Sequence, residues 1–324
     1  MTNYPVAPLD FEGLHTYSLH DRHSKVSVDD FAAPMKTGMT LRDWLRALPR
    51  QLAGKYFPEL VARLARAYRE GRPILIGMGA HVIKVGLNPI LIDLMRRGLI
   101  AGLALNGAGI IHDAELAMVG RTSEEVGDVL GSGAFGAAKE TGEALNAAIC
   151  AGAVKGMGIG QAVGEMLINK AFPFNEQSLL ASAASLGVPV TVHVAMGTDI
   201  IHIHPSADGA AIGQASLHDF RVFCRLVSQL EGGAYLNIGS AVLLPEVFLK
   251  ALTVVRNLGY TVRHLTTANF DFIRHYRPAV NVVQRPTLDG GKGFQFTGHH
   301  ELLLPLLAAS LLDELAQGPE AGGA

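Results

Sequence analysis

The strongest constraint in this chain is a recurring pattern: a short apolar run that stops at glycine or a small polar residue and is followed by a stretch of helical spacing. The pattern occurs at Pro73-Ile74-Leu75-Ile76 before Gly77, at Leu99 to Leu105 before Asn106-Gly107, and at Val188 to Ala195 before Gly197-Thr198-Asp199. It returns at Tyr235 to Ile238 before Gly239-Ser240 and at Thr261 to Leu265 before Thr266-Thr267. Runs this short, and apolar on both sides, suit parallel strands buried on both faces, because a sheet with one wet face would alternate. The pattern predicts an α/β fold, a Rossmann-like parallel sheet covered by helices on both faces. Ligands of such sheets bind beyond the carboxyl ends of the strands, where these Gly, Asn, Thr and Asp residues fall.

Residues 1–40 mix Pro, His, Asp and Ser without periodicity and are expected to form an N-terminal arm. Thr40 is placed to cap a helix over LRDWLRALPRQL, and YFPELVARLARAYREG predicts a second helix ending at Gly71. Residues 41–316 are expected to make a single α/β domain, with Ser123 to Ser185 helical and rich in small residues, and residues 317–324 a disordered tail. Twenty-seven Lys and Arg against 29 Asp and Glu leave a formal charge of −2, which offers no basic field for nucleic acid. Apolar runs are interrupted well before a membrane span is reached, so no membrane partner is expected. Composition is 49% hydrophobic, which assigns the apolar excess to a core and to subunit interfaces. Cys150 and Cys224 lack Cys-x-x-Cys spacing, which argues against a disulfide framework or a thiolate zinc site. The start of the chain lacks the apolar core of a secretory signal, so a cytoplasmic location is expected.

Six stretches could carry chemistry. GMGAHVIKVG (77–86), NGAGIIHDAE (106–115) and NIGSAV (237–242) are glycine-rich strand ends that would let backbone N–H groups approach a phosphate, although tight turns explain them equally well. VTVHVAMGTDIIHIHPSADG gathers His193, Asp199, His202 and His204, and the period-two spacing of His202 and His204 would turn both to one face, as a metal pair requires. The plain alternative is a set of hydrogen-bonded polar residues at a strand end. HLTTANFDFIRHYRP holds Asp271, Arg274, His275 and Arg277, and LDGGKGFQ sets Lys292 among glycines, a turn residue unless a desolvating pocket activates it.

From Arg72 to Ala309 the order of these segments resembles the deoxyhypusine synthase family. PILIGMGAHVIKVGLNPILIDLMRRGLIAGLALNGAGIIHD is similar to that family's opening strand, turn, helix and second strand. There Gly86 matches the turn glycine, Ala108 and Gly109 the paired glycines, and Asp113 the closing aspartate, with Asn106 at the strand end before them. Thr198 and Asp199 match a Thr-Asp pair, and Gly239, beside Ser240, a cofactor-contacting glycine. Thr267, Ala268 and Asp271 match Asn-Thr-Ala-Gln-Glu-Phe-Asp, and Lys292 falls on the lysine that carries the aminobutyl group. The departures are Gly290 in place of the tryptophan before that lysine, Pro286 in place of a glutamate, Ile111-His112 in place of a glutamate pair, and Lys84-Val85 in place of serines.

The resemblance implies bound NAD, a homotetramer or dimer, and transfer of an aminoalkyl group from a polyamine or related small-molecule amine to a lysine or small amine acceptor. In that reading Lys292, His112 and His204 are catalytic, the histidines because they titrate near neutral pH. Asp199, Asp271 and His202 hold the amine. Gly86, Asn106, Ala108, Gly109, Asp113, Thr198, Gly239, Ser240, Thr267 and Ala268 meet the cofactor. Two other readings stand beside it: a metal-dependent hydrolase or lyase using His193, Asp199, His202 and His204, and a catalytically inactive relative that serves as a binding module.

Overall fold

A computed structural model describes residues 6–317. The chain divides into two compact units, the first ending at Lys55 and the second beginning at Tyr56. In the first, large apolar side chains such as Phe11, Tyr17 and Phe31 are exposed. Its ordered part is a turn over Val28–Asp30 and helix α1 (Leu41–Ala47). Thr40 caps α1 as the sequence predicts, its hydroxyl accepting from the Asp43 N–H at 3.2 Å. Asp30 ties this unit together, its carbonyl accepting from Arg50 and its carboxylate from the Gln51 amide. The arm and α1 therefore share one unit. Of the tail expected over 317–324, all but Gln317 lies outside the described residues.

The second unit is built on six parallel strands: β1 (Ile74–Met78), β2 (Gly102–Asn106), β3 (Val190–His193), β4 (Ala234–Ile238), β5 (Thr266–Asp271) and β6 (Lys292–Thr297). Their order across the sheet is β3-β2-β1-β4-β5-β6. The direction of winding reverses between β1 and β4, the arrangement of a doubly wound α/β sheet, and ligands of such sheets bind beyond the carboxyl ends of the strands at this reversal. The helices from Leu52 onward are α2 (Leu52–Arg69), before β1, then α3 (His81–Lys84), α4 (Asn88–Arg96), α5 (Gly107–Val119), α6 (Val126–Val129), α7 (Lys139–Val154), α8 (Ile159–Lys170), α9 (Leu179–Leu186), α10 (Gly209–Val227), α11 (Leu243–Asn257) and α12 (Tyr276–Pro278), and, after β6, α13 (His300–Ala316). None of the described helices is long and apolar enough to cross a membrane.

One face of the sheet packs Leu75, Ala104 and Tyr235 against Phe223 and Val227 of α10 and Phe248, Leu252 and Val255 of α11. Tyr235 stacks on Phe248 with ring centroids 3.9 Å apart, and each such buried ring contributes about 1.5–3 kcal/mol. On the other face Phe57 of α2 meets Phe296, which stacks on Phe270.

Four of the five predicted runs coincide with β1 to β4, and the fifth is displaced. Thr261–Leu265 is irregular, and the strand is the six residues after it, Thr266–Asp271. At the centre of its buried polar face an amide row runs in register across three strands. Asn237 donates to Asn269 at 2.7 Å, and Asn269 donates to Gln295 at 3.2 Å. Hydrogen-bonded amides remove the penalty that would otherwise keep Asn out of a central strand.

Candidate active site at the carboxyl edge of the sheet

At the reversal, Gly79 donates its N–H to the Ile238 carbonyl at 3.0 Å, and Gly239 donates to the Phe270 carbonyl at 2.9 Å. A Cβ on Gly79 would lie 2.4 Å from the Gly239 carbonyl oxygen, so the loops after β1 and β4 meet backbone to backbone only because neither carries a side chain there. Beside Gly239 lies His300, the first residue of α13, with its Nε2 3.2 Å from the Phe270 carbonyl. A carbonyl only accepts, so Nε2 carries the proton and Nδ1 a lone pair that is buried and without a partner among the described residues. The ring packs against Phe272 (4.5 Å) and His81 (5.6 Å), and burial lowers its pKa, keeping it neutral near pH 7. Asp271, the last residue of β5, accepts from the Phe272 N–H through Oδ1 at 2.8 Å. Its Oδ2 is buried without a hydrogen bond, 3.9 Å from His275 Nε2.

On the β2 and β3 side, Asn106 caps α5 by accepting from the Gly109 N–H at 3.1 Å. Asp199 lies against the same helix start: a Cβ on Gly107 would sit 2.0 Å from Asp199 Oδ2, and the carboxylate accepts from the Ala108 N–H. These first-turn amides are thus engaged by the protein's own side chains. Asp199 and His202 form a reciprocal cap on the turn Ile200–Ile203. His202 Nδ1 accepts from the Asp199 and Gly197 N–H groups at 3.2 and 3.1 Å, which puts its proton on Nε2, 3.9 Å from Asp199 Oδ2. Burial raises the Asp199 pKa, and the neighbouring His202 works against that rise.

Next to this turn is a cavity of about 490 Å³ whose lining includes Lys84, His112, Glu115, Arg121, Thr122 and Thr198. Inside it, His112 Nδ1 is 2.6 Å from Thr122 Oγ1, Thr122 donates to Glu115 at 2.5 Å, and Thr141 donates to the other Glu115 oxygen at 3.0 Å. Having given its proton to Glu115, Thr122 can only accept from His112, so Nδ1 is protonated and Nε2 is bare. Burial, then the charge of Lys84, lowers the His112 pKa. Such an imidazole can take a proton from a substrate. Sequence reasoning identified His112 and missed Glu115, Thr122, His81 and His300. The i, i+3 spacing of His112 and Glu115 on α5 was the available signal, whereas nothing in the sequence tied Thr122 to them.

Other sequence candidates lie elsewhere. Lys292 is the first residue of β6, at the amino edge, with its Nζ 3.8 Å from Glu59 and 5.5 Å from the Tyr56 ring centre. Thr267 and Ala268 are buried in the middle of β5, a consequence of that strand's displacement. Asp113 is fully buried and its carboxylate is filled by donors from Ser178, Leu179, Leu180 and Asn88, which fasten α9 and α4 to α5. Gly86 makes the turn between α3 and α4. Ser240 accepts from the Leu244 N–H at the start of α11.

The four-residue metal set is not assembled. His193 packs on Phe223 with Nε2 3.1 Å from Thr191, and burial lowers its pKa to about 4. His204 donates to the Gly136 carbonyl at 3.0 Å, leaving only Asp199 and His202 adjacent. Among the described residues no three His, Cys, Asp or Glu side chains are grouped to hold a metal ion. The period-two argument for His202 and His204 fails because the segment is a helical turn and not a strand.

No family model matches the sequence, and no curated protein does. Solved structures share the fold. A conserved protein of Methanococcus maripaludis S2, provisionally described as LOR/SDH, superposes with a TM-score of 0.50 at 14% identity, over 80% of this chain and 69% of that one. AgrE, in a ternary complex with ornithine and NAD+, superposes with a TM-score of 0.51 at 14% identity, over 83% of this chain and 35% of its own. An Entamoeba histolytica protein provisionally described as a deoxyhypusine synthase gives 0.47 at 10% identity, over 85% and 94% of the two chains. The chain therefore spans about a third of the length of AgrE. At these identities the likeness is one of fold, a parallel α/β sheet.

Proposed function

We propose that this chain is an NAD-dependent enzyme acting on an amine, with the dinucleotide laid across the crevice between β1 and β4 and the amine in the cavity beside α5. The reading rests on one observation: the strand order reverses where the Gly79 and Gly239 backbones meet, and a ligand can approach bare backbone more closely than any side chain allows. The buried Asp271 Oδ2 and His300 Nδ1 beside that point fit such a group, since a ribose hydroxyl or a carboxamide would satisfy atoms that otherwise cost about 1–3 kcal/mol each. AgrE, which shares the fold, is described with ornithine and NAD+. The sequence resemblance to deoxyhypusine synthases points to the same cofactor.

Bound NAD+ would accept a hydride from the carbon bearing the amine nitrogen, leaving a C=N bond open to attack. His112 Nε2 would take the ammonium proton beforehand, held in orientation by Thr122 and Glu115. Asp199, with its Oδ2 unpaired, would draw the cationic end towards the α5 start. Lys292 is at the far edge, so in this reading the acceptor, a lysine or a small amine, would attack the C=N carbon directly, the original amine would leave, and the hydride would return to the new C=N bond, with no imine on Lys292. The test is to denature the purified protein, identify what it releases by mass spectrometry, and assay metals in the same sample. Near-stoichiometric NAD, or saturable NAD+ binding by the emptied protein, supports the reading. Absence of both, or a stoichiometric metal without nucleotide, overturns it.

A further inference from the structure

We propose that the cavity beside α5 recognises a carboxylate, with Lys84 and Arg121 holding it, so that the substrate is an amino acid or another amine bearing an acid group and not a bare polyamine. The inference rests on reading this edge as an amine-oxidising site and adds the chemical class of the substrate.

The cavity is lined by two cations, Lys84 and Arg121, and two carboxylates, Glu115 and Glu124. The carboxylates are engaged by the protein: Glu115 accepts from the Thr122 and Thr141 hydroxyls, and Glu124 accepts from the Gly136 N–H at 2.8 Å. Lys84 and Arg121, by contrast, form no hydrogen bond or ion pair among the described residues. Burial and then the Lys84 charge lower the pKa of His112 in the same lining, which favours its neutral form. The charges of the wall that have no partner are therefore the two cations, while each carboxylate is already held by hydrogen bonds. A ligand carboxylate matches the planar guanidinium fork and the ammonium point charge, a pairing that a polyamine cannot supply. The remaining wall includes Phe135 and Ile200, which suit a short carbon chain, and 490 Å³ is ample for one amino acid. His112 in the same lining would deprotonate the amine, and Asp199, against Gly107 at the start of α5 and between the lining residues Thr198 and Ile200 in sequence, would draw its cationic end.

The test uses ligand pairs that differ only in the carboxylate: L-ornithine against 1,4-diaminobutane, and L-lysine against 1,5-diaminopentane. Each is titrated calorimetrically into the protein with and without NAD+, alongside the Lys84→Gln/Arg121→Gln double variant. Both side chains are exposed, so the fold does not depend on them. We expect at least one amino acid to bind about tenfold or more tightly than its diamine. In the double variant the two members of a pair should converge, with NAD+ affinity unchanged. Equal or tighter binding of the diamines, a preference that survives in the double variant, or failure of all four to bind a protein that does bind NAD+ overturns the proposal. Loss of NAD+ binding itself counts against the dinucleotide reading instead, because the carboxylate preference is still measured on the protein without NAD+.

Discussion

Thr122 gives its proton to Glu115 and can therefore only accept from His112, so one hydroxyl decides which imidazole nitrogen is free to act. Thr122→Val keeps the shape and removes the link. The expected result is a loss of roughly 10- to 100-fold in kcat, a part of the 10²–10⁴ that a positioned base supplies, with KM nearly unchanged. Steady-state kinetics on the amine that turns over would check this, and an unchanged kcat would remove the relay from the mechanism. The pH profile carries a second signature. A base works unprotonated, and burial with the nearby Lys84 charge lowers the His112 pKa. The acid limb of kcat/KM should therefore lie below the ordinary histidine value of about 6.5. At this scale the sequence reveals chemistry only where partners share an element: His112 and Glu115 are three residues apart on α5, while the hydroxyl that joins them arrives from a loop.

Between elements, the joint of β1 and β4 is the most sensitive. Gly79→Ala would place a methyl 2.4 Å from a backbone oxygen that cannot move without disturbing the Gly239–Phe270 hydrogen bond. A cost of about 1–3 kcal/mol in urea denaturation is expected, together with weakened NAD+ binding. Wild-type stability in the variant would mean that the joint is slack. The strands before this joint were legible because their burial on both faces writes a continuous apolar run. β5 was misplaced by its own interior: Thr267, Asn269 and Asp271 read as loop residues, yet an amide row on that face makes them a buried strand. β6 was read as a glycine-rich loop although Phe294 and Phe296 alternate with polar residues, the period-two mark of an edge strand. Both errors moved candidate residues. Asp271 stays at the carboxyl edge, while Thr267 and Ala268 sink into the sheet and Lys292 is carried to its opposite end.

Across the whole sheet, strand polarity and order separate groups that the sequence places in one reaction. Lys292 begins the strand that Thr297 ends, so it lies about 17 Å along the sheet from the carboxyl edge. Asp199 lies against Gly107, the residue after β2, and Asp271 ends β5, strands three positions apart in the sheet and thus about 14 Å from one another. A single small amine cannot touch both carboxylates, so under the proposed function Asp199, at the start of α5, would serve the amine, and Asp271, beside Gly239 and His300, would serve the dinucleotide. Asp199→Asn should therefore raise KM for the amine with little change in NAD+ affinity. Asp271→Asn should weaken NAD+ binding with little change in amine KM at saturating cofactor. Lys292→Ala, outside both, should alter neither, and borohydride treatment during turnover should trap no adduct on it. Calorimetric NAD+ titrations paired with steady-state kinetics on the three variants separate these outcomes. If both aspartate variants shifted the same constant, the two sites would have to be one, and the amine would have to lie across the crevice between β1 and β4 instead of beside α5.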